Sequence, residues 1–131
     1  MSTLSELRGL EFDWFAVDES GQVALFATAG CGPIPRQILA VAEQHGEISD
    51  QIAVEGWGSN AVWRSYAKVG LFAYDWDDQA QGYARVAVPD QSLDAVLSAG
   101  ITRLSLPRFP GSFCDRAQFK ESDFSEFTDF D

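Results

Sequence analysis

Apolar residues crowd the chain from Glu11 to Val17 and again from Val23 to Thr28, with the turn cluster Asp18-Glu19-Ser20-Gly21 nearby. Aromatic and β-branched residues in partial alternation predict two strands there. The connection is too short for a crossover, so the two are expected to pair as an antiparallel hairpin. Ala29 to Pro35 holds two glycines and two prolines and breaks regular structure. From Arg36 to His45 the apolar positions Ile38, Leu39, Val41 and Ala42 follow helical spacing, and Gly46 stands where a glycine cap would close the helix. Ile48 to Trp57 is ambiguous, with Ile52-Ala53-Val54 readable as a short strand. Ser59 or Asn60 can cap a second helix through about Lys68, with the stripe Val62, Trp63, Tyr66 and Ala67 and with Gly70 ending it.

The second half repeats the pattern. Leu71 to Trp76 reads as a strand, Asp77 to Gly82 as a polar loop and Tyr83 to Val88 as the returning strand. Pro89-Asp90 opens a third helix with Leu93, Val96 and Leu97 on one face and Gly100 after it. Ile101 to Leu106 alternates as a further strand, and Pro107 to Phe113 is broken by two prolines and a glycine. Strands grouped in hairpins with helices between them predict an α+β fold: an antiparallel or mixed sheet built from two β-hairpins with about three helices. Residues 1–110 read as a single domain, and 111–131 as an acidic, phenylalanine-rich C-terminal tail.

Charge narrows the partners. The 131 residues carry 20 Asp and Glu against 9 Lys and Arg, a formal charge of -11. Nucleic acid and anionic membrane surfaces would repel such a chain, whereas a basic protein would be steered toward it. No apolar run approaches the roughly 20 residues of a membrane span, and the N-terminus lacks the basic and apolar regions of a signal peptide. Two cysteines, Cys31 and Cys114, are too few for a disulfide framework. A cytoplasmic location with free thiols is the expectation.

Residues that suggest chemistry are few. His45 is the only histidine; its place at the expected helix end suits a surface or capping role, where the dipole favours an imidazolium. Cys31 precedes a helix in a glycine-rich loop, a setting that can lower a thiol pKa, but a nucleophilic cysteine needs a partner base. Asp75-Trp76-Asp77-Asp78 follows an apolar strand, and an Asp-x-Asp there is how haloacid-dehalogenase phosphatases begin. The residues after it depart from that pattern, and too little chain remains for such a core. Hairpin acids that keep a turn polar explain it more simply. Gly30-Cys31-Gly32 and Gly56-Trp57-Gly58 lack the spacing and lysine of a phosphate loop. The cysteines and histidine do not show zinc spacing, and no metal or cofactor is expected.

Four tryptophans remain, Trp14, Trp57, Trp63 and Trp76. Trp63 belongs to a helical core stripe. Trp14 and Trp76 lie beside acids on strands; ordinary core packing is the simpler reading of each, and the alternative is an exposed strand face where aromatic anchors rimmed by charge would suit an interface. The end of the chain repeats an acid-phenylalanine step every three residues, Asp123-Phe124, Glu126-Phe127 and Asp129-Phe130. That period fits neither a clean strand nor a long helical stripe; a packed or frayed acidic terminus is the simpler reading, beside a segment that lies extended on the domain, orders on a partner or mimics the charge of nucleic acid.

The stretch Phe12-Asp-Trp-Phe-Ala-Val-Asp-Glu-Ser-Gly-Gln-Val-Ala-Leu-Phe-Ala-Thr-Ala-Gly-Cys-Gly-Pro-Ile-Pro35 resembles the opening of small bacterial immunity proteins of polymorphic toxin systems. Gly70 to Leu93, with its Tyr-Asp-Trp strand and Pro89 before a helix, is similar to their second half; the likeness covers roughly residues 10 to 95. It implies a cytoplasmic antidote, not an enzyme, that binds and occludes a cognate toxin domain. Many toxins are basic nucleases, which would suit this acidity. The expected contacts are Asp75, Trp76, Asp77 and Asp78 together with Asp123, Phe124, Glu126, Phe127 and Asp129 of the tail. The other readings are a regulatory module that binds protein through the tail, and a small hydrolase using Cys31 or Asp75 and Asp77.

Overall fold

The computed structural model describes residues 12–56 and 59–124. Its sheet holds β1 (Asp13–Val17), β2 (Val23–Ala27), β3 (Phe72–Asp77), β4 (Gly82–Ala87) and β5 (Gln118–Lys120), side by side in chain order. Helices α1 (Arg36–Leu39), α2 (Ala42–Asp50) and α3 (Ala61–Lys68) lie between β2 and β3. Helix α4 (Ala95–Ile101) and a 3-10 turn (Phe113–Asp115) lie between β4 and β5, and α5 (Glu121–Phe124) ends the described chain. Both expected hairpins are present, β1 antiparallel to β2 and β3 antiparallel to β4. They join through a parallel pairing of β2 with β3, with Ala24 opposite Phe72 and Ala27 opposite Asp75. The sheet is therefore mixed, in an α+β domain.

Both faces of the sheet are covered, which is why its strands read as apolar runs with weak alternation. One face carries Trp14, Phe26, Phe72, Tyr74, Trp76 and Tyr83 and is covered by Ile34, Ile38, Phe109 and Phe113. Phe26 is central: its ring stacks on Trp14 at 4.4 Å and on Tyr74 at 4.9 Å. The opposite face carries Phe15, Leu25 and Ala73 against Ile48 and Ile52, Val62 and Tyr66 of α3, and Leu97 and Ile101 of α4. Hence Trp14 and Trp76 are buried, at 0% and 7% exposure, which is the core packing of the simpler reading of each, and the exposed strand face left open by their acidic neighbours is not found. Those neighbours, Asp13 and Asp75, alternate onto the other face at the end of the sheet.

Several boundaries differ from the sequence expectation, each for a packing reason. The helix expected over 36–45 is two helices, broken at Ala40 and Val41. Ile38 and Leu39 pack on the aromatic face while Ile48 packs on the other, so the helix axis must change as the chain crosses over. Gly46 lies inside α2 and does not cap it. Ile52 to Val54 is not a strand. The third helix begins at Ala95, five residues beyond Asp90 by numbering, because Asp90 N–H and Asp94 N–H are held by the Ala67 and Val69 carbonyls at 3.0 and 2.9 Å. Gly70, at φ +90, lets this return pass so close that a side chain there would meet the Leu93 backbone. Asp94 caps α4 by accepting Leu97 N–H at 3.0 Å; that register turns Leu97 and Ile101 inward and leaves Val96 76% exposed. Gly100 is within α4, and the strand expected over 101–106 is the helix end followed by turns.

Of the stretch set apart as a tail from 111 to 131, residues 111–124 are described, and they enter the fold. Phe113 and Phe119 are in the aromatic core, and β5 pairs with β4 with Tyr83 opposite Phe119. Buried Asp18 ties the first hairpin to this return. Its Oδ1 accepts the N–H groups of Ser20 and Gln22, and its Oδ2 accepts Phe113 N–H, all at 2.9 Å. Tyr74 hydroxyl donates to the Arg116 carbonyl at 2.6 Å, and Arg85 donates to the Phe113 and Cys114 carbonyls at 2.8 Å. Burial pushes the Tyr74 phenol well above its ordinary pKa, against the opposing pull of Arg85.

Asp18→Ala strands three backbone donors, two of them in the hairpin turn. We expect it to lower unfolding free energy by about 3 kcal/mol or more, from charged hydrogen bonds worth roughly 1.5–3 kcal/mol each. Urea unfolding measures this, and a loss below about 1 kcal/mol would contradict the tie.

Candidate functional site

Residues at or near the ends of three strands form one floor. Asp13 opens β1 opposite Ala27, and Ala27 lies beside Asp75 near the end of β3. Cross-strand neighbours point to one face, so Asp13 and Asp75 flank Ala27 about 10 Å apart across two strand spacings. Above them is a cleft of about 740 Å³, walled by Ser49 and Asp50 at the end of α2 and by Ser59, Asn60, Val62, Trp63 and Tyr66 around the start of α3. Both helices leave this wall at the carboxyl ends of the parallel strands β2 and β3, where α/β sheets commonly hold ligands. The loop between the helices is fastened by Glu55 N–H donating to Ser65 Oγ at 3.0 Å. Trp63, expected in the core, is half-buried in the cleft wall with its ring 5.9 Å from that of Tyr66.

Helix α2 also carries a charged stripe. Ala42, His45 and Ile48 are buried, and Glu43, Glu47 and Asp50 occupy the exposed side at helical spacing. The helix contains no lysine or arginine. Like charges four apart destabilise a helix by about 0.2–0.5 kcal/mol. The 43-47-50 spacing was visible in the sequence, but only a helix running to Asp50 makes it a stripe. The cleft acids could not be found that way, because Asp13, Asp50 and Asp75 come from three separate segments.

The sequence-predicted contact residues are divided by the fold. Asp75 is half-buried at the cleft. Trp76 faces the other way and packs against Tyr83, with ring centres 5.2 Å apart. Asp77 and Asp78 are exposed at the tip of the second hairpin. Asp77 Oδ1 accepts the N–H groups of Gln79 and Ala80 at 3.0 and 3.3 Å, and Asp78 Oδ1 accepts Trp76 Nε1–H at 3.3 Å. Both acids therefore shape the turn as well as charge it. Asp123 pairs with Arg116 at 3.2 Å and accepts Lys120 N–H at 2.7 Å. Phe124 ends α5, while Glu126, Phe127 and Asp129 lie outside the described residues.

His45 is not at a helix end or at the surface. It is fully buried in α2, and its Nδ1 accepts Phe15 N–H at 3.1 Å. The base that a Cys31 nucleophile would need is thus committed elsewhere, while Cys31 and Cys114 are exposed free thiols. Among the described residues no group of three His, Cys, Asp or Glu is placed to hold a metal ion, and no helix is long and apolar enough to cross a membrane. Comparison with models of protein families, with curated proteins and with solved structures finds no match to this chain.

The acids and the tryptophan of the hairpin should separate by mutation. Asp77→Ala should cost about 1 kcal/mol for the lost turn contacts, and Trp76→Ala about 3–5 kcal/mol for the emptied core. Parallel denaturation curves decide it: equal losses for the two variants would contradict the division.

Proposed function

We infer that the chain is a binding protein that occludes a basic toxin domain, in the manner of an immunity protein. The observation that carries this reading is the exposed acidic stripe Glu43, Glu47 and Asp50, which runs with no lysine or arginine in its helix into the cleft beside Asp13 and Asp75. A formal charge of -11 extends the same field over the surface. Complementary potentials raise the encounter rate and fix the orientation of a basic partner. Half-buried Trp63 beside the acids supplies the aromatic surface that interface cores favour. Asp77 and Asp78 add charge at the adjoining end of the sheet.

The test begins with the tagged full chain used to capture its partner from the cells that make it. The reading expects a stoichiometric basic protein whose toxicity the chain suppresses. With that partner, Glu43→Lys combined with Glu47→Lys should slow association by about tenfold or more near 0.01 M salt, where the Debye length is about 30 Å. The difference should shrink near 0.1 M, where that length is about 10 Å. Dissociation should change less than association if these acids steer rather than anchor. An unchanged association rate, or a partner whose toxicity persists in the complex, would sink the assignment.

A further inference from the structure

Helix α2 is fastened to β1 through two side chains one helical turn apart. His45 Nδ1 accepts Phe15 N–H at 3.1 Å, and Ser49 Oγ donates to Asp13 Oδ2 at 2.7 Å. Four helical residues rise about 6.0 Å and two antiparallel strand residues about 6.8 Å, so both contacts close together. β1 is an edge of the sheet, and its outward N–H groups need partners from outside it. Val17 N–H finds the Pro107 carbonyl at 3.0 Å. Phe15 N–H finds only the imidazole, which also stacks on the Phe15 ring at 5.9 Å.

The imidazole can hold this place in one protonation state. Nδ1 must present its lone pair to Phe15 N–H, so the proton of the neutral ring sits on Nε2. Nε2 is buried without a hydrogen-bond partner among the described residues, and the Ser105 backbone favours the charged ring less than burial disfavours it. A second proton would place N–H against N–H and bury a charge. Helix α2 is bracketed by irregular chain, with Val41 at φ -128 and ψ 27 before it and Gly56 at φ +76 beyond it. These positions let the helix move without dismantling the sheet. The titratable groups on the elements packed against α2 are Asp13 of β1, Arg36 of α1, and Asp94 and Arg103 flanking α4; the last three are exposed. On α2 itself, Glu43, Glu47 and Asp50 are exposed.

We propose that His45 is an acid-sensitive latch: protonation of its ring releases α2 from β1 and opens the wall of the cleft while the rest of the sheet stays folded. Burial lowers the His45 pKa from 6.5 to about 4. The closed state therefore binds the proton less well than the open one. Its contribution is full above pH 6.5 and is lost as pH falls toward about 4.

Residue-resolved hydrogen exchange on the full chain, corrected for intrinsic rates, tests this at pH 7 and pH 5. Those two pKa values predict that protection of the inner α2 amides and of Phe15 falls about 20-fold, with β3 amides unchanged. His45→Asn keeps an acceptor for Phe15 N–H but does not titrate, and its α2 protection should not fall. Equal losses in α2 and β3, no loss in α2, or the same loss in His45→Asn would each overturn the latch. Should that variant not fold, imidazole NMR on the unaltered chain decides. A neutral ring protonated on Nε2 and titrating well below 6.5 supports it, and an ordinary midpoint overturns it.

Discussion

Ala24 to Ala27 run alongside Phe72 to Asp75 in the same direction, and two parallel neighbours cannot be joined by a tight turn. The chain must leave the end of β2, cross a face of the sheet and re-enter at the start of β3. Helices α2 and α3 fill that crossing and cover the face that bears Phe15, Leu25 and Ala73. The cleft and the acidic stripe both follow, since they lie where the crossing leaves the strand ends. The aromatic face is left to be covered by α1 and by chain that arrives much later, around Phe109 and Phe113. Asp18, Tyr74 and Arg85 serve that late return, each binding backbone groups of 111–116.

The aromatic face also shows how polar groups are accommodated inside it. Tyr83 is buried, yet its hydroxyl donates to the Pro33 carbonyl at 2.8 Å and accepts Trp14 Nε1–H at 3.4 Å. Burial drives that phenol far above its ordinary pKa, so it remains a donor. Gly32 is what lets the loop approach: a Cβ there would lie 2.5 Å from the hydroxyl oxygen. The glycine-proline turn after β2 thus fits over a tyrosine from the opposite hairpin.

Both hairpins were legible because each is a local event, an apolar run, a polar turn and a returning run. Their parallel junction was not, since no residue near Ala24 or Phe72 announces the pairing. β5 escaped notice because it has three residues, and only Phe119 points inward. Gly46 misled for an energetic reason. A glycine inside a helix costs about 1 kcal/mol, and burying Ala42 and Ile48 of the same helix outweighs that. Once the helix is allowed to continue, His45 moves from a helix end to its buried middle. The exposed acids of the second hairpin were recognisable from turn chemistry. The meeting of Asp13, Ser49 and Asp75 was not, because it depends on the junction.

Phe26 and the residues that shield it have a consequence in time. Phe119 leaves the ribosome roughly ninety residues after Phe26, and at about 5–20 residues per second that gap is on the order of 5 to 20 s. Within that interval Trp14 and Phe26, joined by Tyr74 about halfway through it, lack Phe113 and Phe119 as cover. The nascent chain therefore presents a sticky aromatic surface until Phe113 and Phe119 emerge, and native closure of that face waits for them. A premature stop between Tyr83 and Phe113 releases a product with that surface bare, suited to capture by a chaperone or to degradation.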